Sequence, residues 1–389
     1  MRNNLMTNRS IASVFLAIGI VALSAAKHGF CASAQQENSA PDLRQALQKL
    51  AEFSPDPCGP PYGQETNWHS ADVESRVFEQ AVGVVTQELN AAPGGAGPPS
   101  DRAVDALRKI KGMSAEVNSA WPEENRFNFD VLDLPPALVV KMIIRAHERF
   151  FVFGVPAEDS GKPNRLWRRV GEDGESVEPE VPQSHLTLYP LHRSASGNTR
   201  FLASFIHSGC AGSLGVIYDA REWNPKGTGD LEQIVKQEGS FGLDDKVPGF
   251  PVIGKVRTEG AIITLPYCWF SAVDTWDNPS LCAVDTYDLS GVNVRFVSRA
   301  YNRPDLVPIA KTIEYAAQRD YPAALGYCDT QVARRLVRDV PTQGFFADDL
   351  RVTPLGKGRE QVEMGYDPTY RFEVEKRAGR WLVVGVRTQ

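Results

Sequence analysis

The chain has 389 residues, with 42 Lys and Arg against 48 Asp and Glu for a net charge of −6, and it is 42% hydrophobic and 9% aromatic. That content builds packed cores and excludes a disordered or low-complexity chain. The negative balance, with no basic cluster interleaved with aromatics, excludes nucleic acid as a partner. The length exceeds what one core organises, so two or three domains are expected.

Residues 1–34 carry Arg2, Arg9 and Lys27 and no acidic residue. An apolar stretch from Ile11 to Ala26 leads to Ala32-Ser33-Ala34, small residues at the positions a signal peptidase reads. A signal peptide over 1–34 is expected, with cleavage before Gln35; cleavage after Ala26 and lipidation of Cys31 are the alternatives. Losing three of the 42 basic residues and none of the 48 acidic ones leaves the mature chain at −9. The expected location is periplasmic or extracellular. No later run reaches about 18 consecutive apolar residues; the best, Ala137 to Ile144, is interrupted by Lys141. No transmembrane segment is expected in the mature form.

In chain order, residues 35–120 read as a helical segment. Leu43, Leu47 and Leu50 share one face of a helix over Asp42 to Phe53, and Val73, Val77 and Ala81 do so over Ala71 to Leu89. Residues 91–100 (AAPGGAGPPS) read as a flexible linker, and Ser100 as the N-cap of a helix over Asp101 to Val117. From 121 to 302 the chain becomes a succession of short alternating, β-branched and aromatic runs. Strands are predicted at 127–132, 138–145, 149–155, 165–170, 185–191, 199–207, 214–219, 231–237, 252–257, 261–269, 283–289 and 294–299. This is the pattern of an antiparallel β domain, sandwich-like or a partial propeller. Ala272-Val273-Asp274-Thr275-Trp276 recurs as Ala283-Val284-Asp285-Thr286-Tyr287, a repeat the size of one hairpin.

Residues 303–389 read as a small α+β module. Asp305 can cap a helix carrying Leu306, Ile309 and Ile313, and Asp320-Tyr321-Pro322 starts a second one carrying Leu325, Val332 and Leu336. Strands follow at 361–366, 370–376 and 381–387, the last two joined by Arg377-Ala378-Gly379-Arg380. The string from Ala310 to Leu325, with Tyr370 to Lys376 and Gly379 to Val384, resembles the SnoaL-type, nuclear-transport-factor-like cone fold. Such a fold hosts enzymes and pure binding modules alike, so the resemblance implies an architecture without a reaction.

The candidate chemistry is sparse. Ala211-Gly212-Ser213-Leu214-Gly215 is a variant of the nucleophile elbow, and His207 and Cys210 lie beside Ser213 as further catalytic or metal-binding candidates. Against hydrolysis, Gly215-Val216-Ile217-Tyr218 reads as strand where an elbow opens a helix. No histidine follows His207, although an α/β-hydrolase triad needs one after its serine. Asp274, Asp277, Asp285 and Asp288 are the candidate calcium ligands, the densest oxygen set in the chain; no cofactor is expected, with calcium as the alternative. Ordinary turn chemistry accounts for the same residues. A disulfide between Cys268 and Cys282 is expected. Register argues against it, because a hairpin centred on residues 277–280 sets Cys282 opposite Thr275, and Cys210 is the rival partner.

The expectation is therefore an α+β, multi-domain exported protein that binds a protein or small-molecule ligand without catalysis. A secreted hydrolase or metal-assisted enzyme centred on His207–Ser213 is the alternative.

Overall fold

The computed structural model describes residues 39–52, 68–91, 97–123, 126–145, 147–156, 166–172, 184–208, 214–226, 231–241, 251, 253, 255–274, 281–342, 349–365 and 369–388. The expected signal peptide, Cys210, Ser213, Asp277 and residues 92–96 of the expected linker lie outside them.

The fold is β-rich, with three antiparallel sheets among the described residues and helices at both ends. Helices α1 (Ser39–Ala51), α2 (Trp68–Asn90) and α3 (Pro99–Val117) come first. Ser100 is not the cap of α3: the N-cap is Pro98, with Pro99 at the first helical position, where a missing N–H costs nothing. Strands β1 (Asn128–Leu134), β2 (Ala137–Ile144), β3 (His147–Gly154) and β4 (Arg168–Glu172) form a sheet in that order.

Side-chain alternation explains why β2 is almost wholly apolar. Leu138, Val140, Met142 and Ile144 pack under the helices with Leu47, Phe78 and Leu107. Ala137 and Val139, with Phe150 and Val152 of β3, face the other way onto Phe201, Phe205 and Trp223. A strand buried on both faces loses the in–out alternation of a half-buried one. At Gly154 a Cβ would come within 2.5 Å of the Trp223 ring, so only glycine permits this approach.

The larger sheet holds β5 (Ser184–Pro190), β6 (Thr199–Ser208), β7 (Leu214–Trp223), β8 (Leu231–Phe241), β9 (Arg257–Glu259), β10 (Ile262–Trp269), β11 (Leu281–Asp288) and β12 (Arg295–Tyr301). Its order is β12-β11-β10-β8-β7-β6-β5, with β9 beside β10. One core runs over it through Leu202, Tyr218, Val235, Leu265, Tyr267 and Ala283. Fully buried Arg200 of β6 reaches across to the connection between β11 and β12. There it donates to the carbonyls of Leu289 (2.7 Å), Gly291 (3.2 Å) and Val292 while its Nε holds Glu222.

The C-terminal part packs α4 (Val307–Ala317), α5 (Tyr321–Ala324) and α6 (Thr330–Asp339) on a sheet of β13 (Asp349–Gly356), β14 (Arg359–Gly365), β15 (Tyr370–Arg377) and β16 (Arg380–Thr388). Two helix readings change. Asp305 does not cap α4, whose N-cap is Leu306; its carboxylate takes the Arg303 guanidinium instead. The second predicted helix is two. Asp320 caps α5 through the Ala323 N–H (3.0 Å), and the chain then leaves the helix to lie along β16. Val383 there accepts from the Asp329 N–H (2.9 Å) and donates to Tyr327 (3.0 Å) before α6 begins. Leu325 is thereby exposed, whereas Val332 and Leu336 are buried. β13, which the sequence reading passed over, is an edge strand that tolerates Pro354. Ala378 and Gly379, both at positive φ, turn β15 into β16.

Candidate functional site

Of the catalytic candidates only His207 is described: it lies on β6 with Gly215 of β7 as its register partner, and residues 214–223 form a strand where a nucleophile elbow would open into a helix.

Of the calcium candidates, Asp274, Asp285 and Asp288 are described, and each has its own hydrogen-bond partners. The Asp274 carboxylate accepts from the Ser271 N–H (2.5 Å) and hydroxyl (2.9 Å), the closing bonds of a turn. Asp288 takes Arg295 (2.8 Å) and the Ser290 N–H (2.9 Å), bonds that hold its carboxyl well below the usual carboxylate range. Among the described residues, no three His, Cys, Asp or Glu side chains converge to hold a metal ion.

Asp285 is the informative one. Its side chain is fully buried, and Arg299 of β12 grips it with two parallel bonds, Nε–Oδ1 at 2.6 Å and Nη2–Oδ2 at 2.8 Å. The Tyr267 hydroxyl donates to Oδ2 at 3.3 Å. A row of rings surrounds the pair. The Arg299 guanidinium lies 5.7 Å from the Tyr267 ring and 5.9 Å from that of Phe296, with Tyr287 against Phe296 at 5.5 Å. Trp269 continues the row from Tyr267 to Tyr301, each step 6.0 Å.

A register shift between Thr286 and Tyr287 assembles it. Arg299 pairs with Asp285 and Ser298 with Thr286, but Phe296 pairs with Tyr287, leaving Val297 as the extra residue of a bulge. In an unshifted register Val297 would oppose Tyr287, and Phe296 would point to the other face. Behind this edge, Cys268 and Cys282 are register partners joined by a disulfide. The register objection fails because β10 ends at Trp269 and β11 begins at Leu281, so the connection is longer than the turn assumed and is centred on residue 275.

Burial sets the electrostatics. Burial first, and the Asp285 charge second, push the hydroxyls of Tyr267 and Tyr287 up. The bonds to Asp285 hold Arg299 firmly protonated. These groups form a fixed polar frame beneath an exposed strand. Among the described residues β12 pairs with β11 alone, and every residue from Arg295 to Ala300 is exposed, with Phe296 at 51% and Val297 at 45%. Asn302 donates its N–H to Cys282, so by alternation Arg299 and Tyr301 turn their backbone groups outward. The charges are layered as well. Arg295 and Arg299 are 71% and 39% exposed, whereas their partners Asp288 and Asp285 are 17% and 0% exposed.

No sequence signal located this edge. The apolar-polar mixture of Arg295-Phe296-Val297-Ser298-Arg299 reads as an ordinary strand, and only the sheet order shows it to be outermost.

No family model matches the sequence, and no curated protein matches it. Among solved structures, a mutant Synechocystis apocarotenoid oxygenase aligns with 67% of this chain and 48% of its own at 11% identity, with a TM-score of 0.20. The chain thus spans about half the length of that protein, and a likeness of this degree carries no argument about fold or function.

Proposed function

We propose that this is an exported, non-enzymatic binding protein that takes an extended acidic segment of a protein partner as an added strand on β12. The observation that carries the reading is an outermost strand exposed on both faces, with apolar side chains outside and guanidinium groups above the fully buried Asp285 and the half-buried Asp288. Main-chain groups of Arg299 and Tyr301 supply the docking ladder, and side-chain positions on either face supply selectivity. The outward cations favour a partner strand bearing Asp or Glu, and Phe296 offers a ring for an apolar residue opposite it. Export follows from the leader read over residues 1–34, and the SnoaL-like, cone-type reading of 303–389 fits a binding module as well as an enzyme.

Fluorescent peptides of alternating Glu and Val test this against Lys–Val counterparts. The acidic peptide should bind the mature chain, lose affinity as salt screens the charges, and lose roughly tenfold or more on Phe296→Ala, a change of about 1.4 kcal/mol. Equal binding of the lysine peptide, or indifference to Phe296→Ala, would refute the assignment of this edge.

A further inference from the structure

β12 runs directly into the C-terminal helices through residues 302–306. Asn302 anchors the start of this junction, its N–H on Cys282 at 3.0 Å and its Oδ1 accepting the Cys282 N–H at 2.8 Å. Arg303 then folds back on Asp305, with Nε 3.1 Å from Oδ1 and Nη2 2.5 Å from Oδ2. Asp305 is buried, at 7% exposure.

Glu360 of β14 interacts with both members of this group. It occupies the end of the strand face that Val362 and Met364 continue into the core. Its ladder neighbours are Pro354 of β13 and Val374 of β15, neither of which carries a charge. The ionisable groups that face it are the Asp305 carboxyl and the Arg303 guanidinium. Its Oε2 is buried and, among the described residues, receives no hydrogen bond from any N–H or O–H. Two carboxyl groups therefore share one cation, and that cation is already forked onto Asp305. Two adjacent carboxylates repel, and a buried acceptor without a donor is costly. One proton between the two carboxyls relieves both.

The geometry points to Asp305 and Glu360 as a proton-bound carboxyl pair that ties β14 to the β12–α4 junction in acid and releases it when the proton leaves. Burial first, and the Asp305 charge next, hold the Glu360 carboxyl above its ordinary value of 4.5. A carboxyl raised in the folded state stabilises it fully below its unfolded value, and that contribution is lost as the pH climbs through the folded value. The junction is thus tighter on the acid side and looser toward neutral pH. This inference does not depend on what β12 binds.

The test compares the thermal unfolding of the full chain with that of Glu360→Gln at pH 5 and pH 8. A glutamine amide donates to Asp305 at every pH, so the variant's midpoint should gain on that of the parent as the pH rises. Parallel profiles would overturn the pair. Hydrogen exchange on the unaltered protein gives a second reading that survives a variant that does not fold. After correction for intrinsic rates, opening of residues 302–316 should increase severalfold between pH 5 and pH 8, and unchanged protection there would equally refute the proposal.

Discussion

The eight-stranded sheet ends in two edges that handle the same physical problem differently. At β5, the outward N–H of Leu186 donates to the Glu148 carboxylate of β3, and its carbonyl accepts from the Lys141 ammonium of β2. Lys141 and Glu148 are themselves paired at 2.9 Å, with side chains only 12% and 8% exposed. The first sheet thus closes the second one's edge with a buried ion pair. At β12, no such cover is present among the described residues; a bulge and outward arginines break up the edge while leaving its backbone reachable. One end of the sheet is sealed and the other is open among the described residues, and the binding proposal rests on that difference.

The largest effect is expected where the open edge is attached. Arg200→Met strips three carbonyls of the β11–β12 connection of their donor and leaves buried Glu222 without its cation, which should cost about 5 kcal/mol of unfolding free energy in denaturant titration. A loss under about 1 kcal/mol would show that this connection holds itself. The closed edge should follow. Lys141→Met leaves Glu148 charged and buried, at a cost of roughly 3 kcal/mol, and a second change, Glu148→Gln, should recover part of it. Additive losses in that double-mutant cycle would mean that the pair does not act as a unit.

Removing the disulfide behind the open edge with paired Cys268→Ala and Cys282→Ala changes should cost about 3 kcal/mol, given its separation of 14 residues. The smallest effect belongs to β12 itself. Phe296→Ala at an exposed position should alter stability by less than about 0.5 kcal/mol, so a binding loss in that variant reports on recognition and not on folding.

The two edges also show what could be read in advance. Lys141 was visible as the interruption of the apolar run from Ala137 to Ile144, but the carbonyl it serves lies in β5, 45 residues away. Asp285 was legible only as one oxygen of a candidate calcium set; in the fold it is fully buried and forked by Arg299, 14 residues away, and no local spacing connects the two residues. Phe296 reached the aromatic row through one extra residue in a strand, a shift that alternation in the sequence does not reveal. The mistaken cap at Asp305 has a local origin instead: Arg303, two residues before it, takes the carboxylate that capping rules assign to the helix.

Short-range physics, written along the chain, determined the antiparallel, β-rich character, the positions of most strands and helices, and the Ala378-Gly379 turn. Periodicity, turn residues and burial of apolar faces act over a few residues, and each leaves its mark in order. The tertiary structure alone decided which strand is outermost, which edge is sealed, that the chain at Tyr327 to Asp329 would leave its helix for β16, and that Asp305 would face Glu360. Those outcomes depend on backbone and charged groups far apart in sequence finding one another, and the free energy that selects the partners exists only once the sheets have assembled.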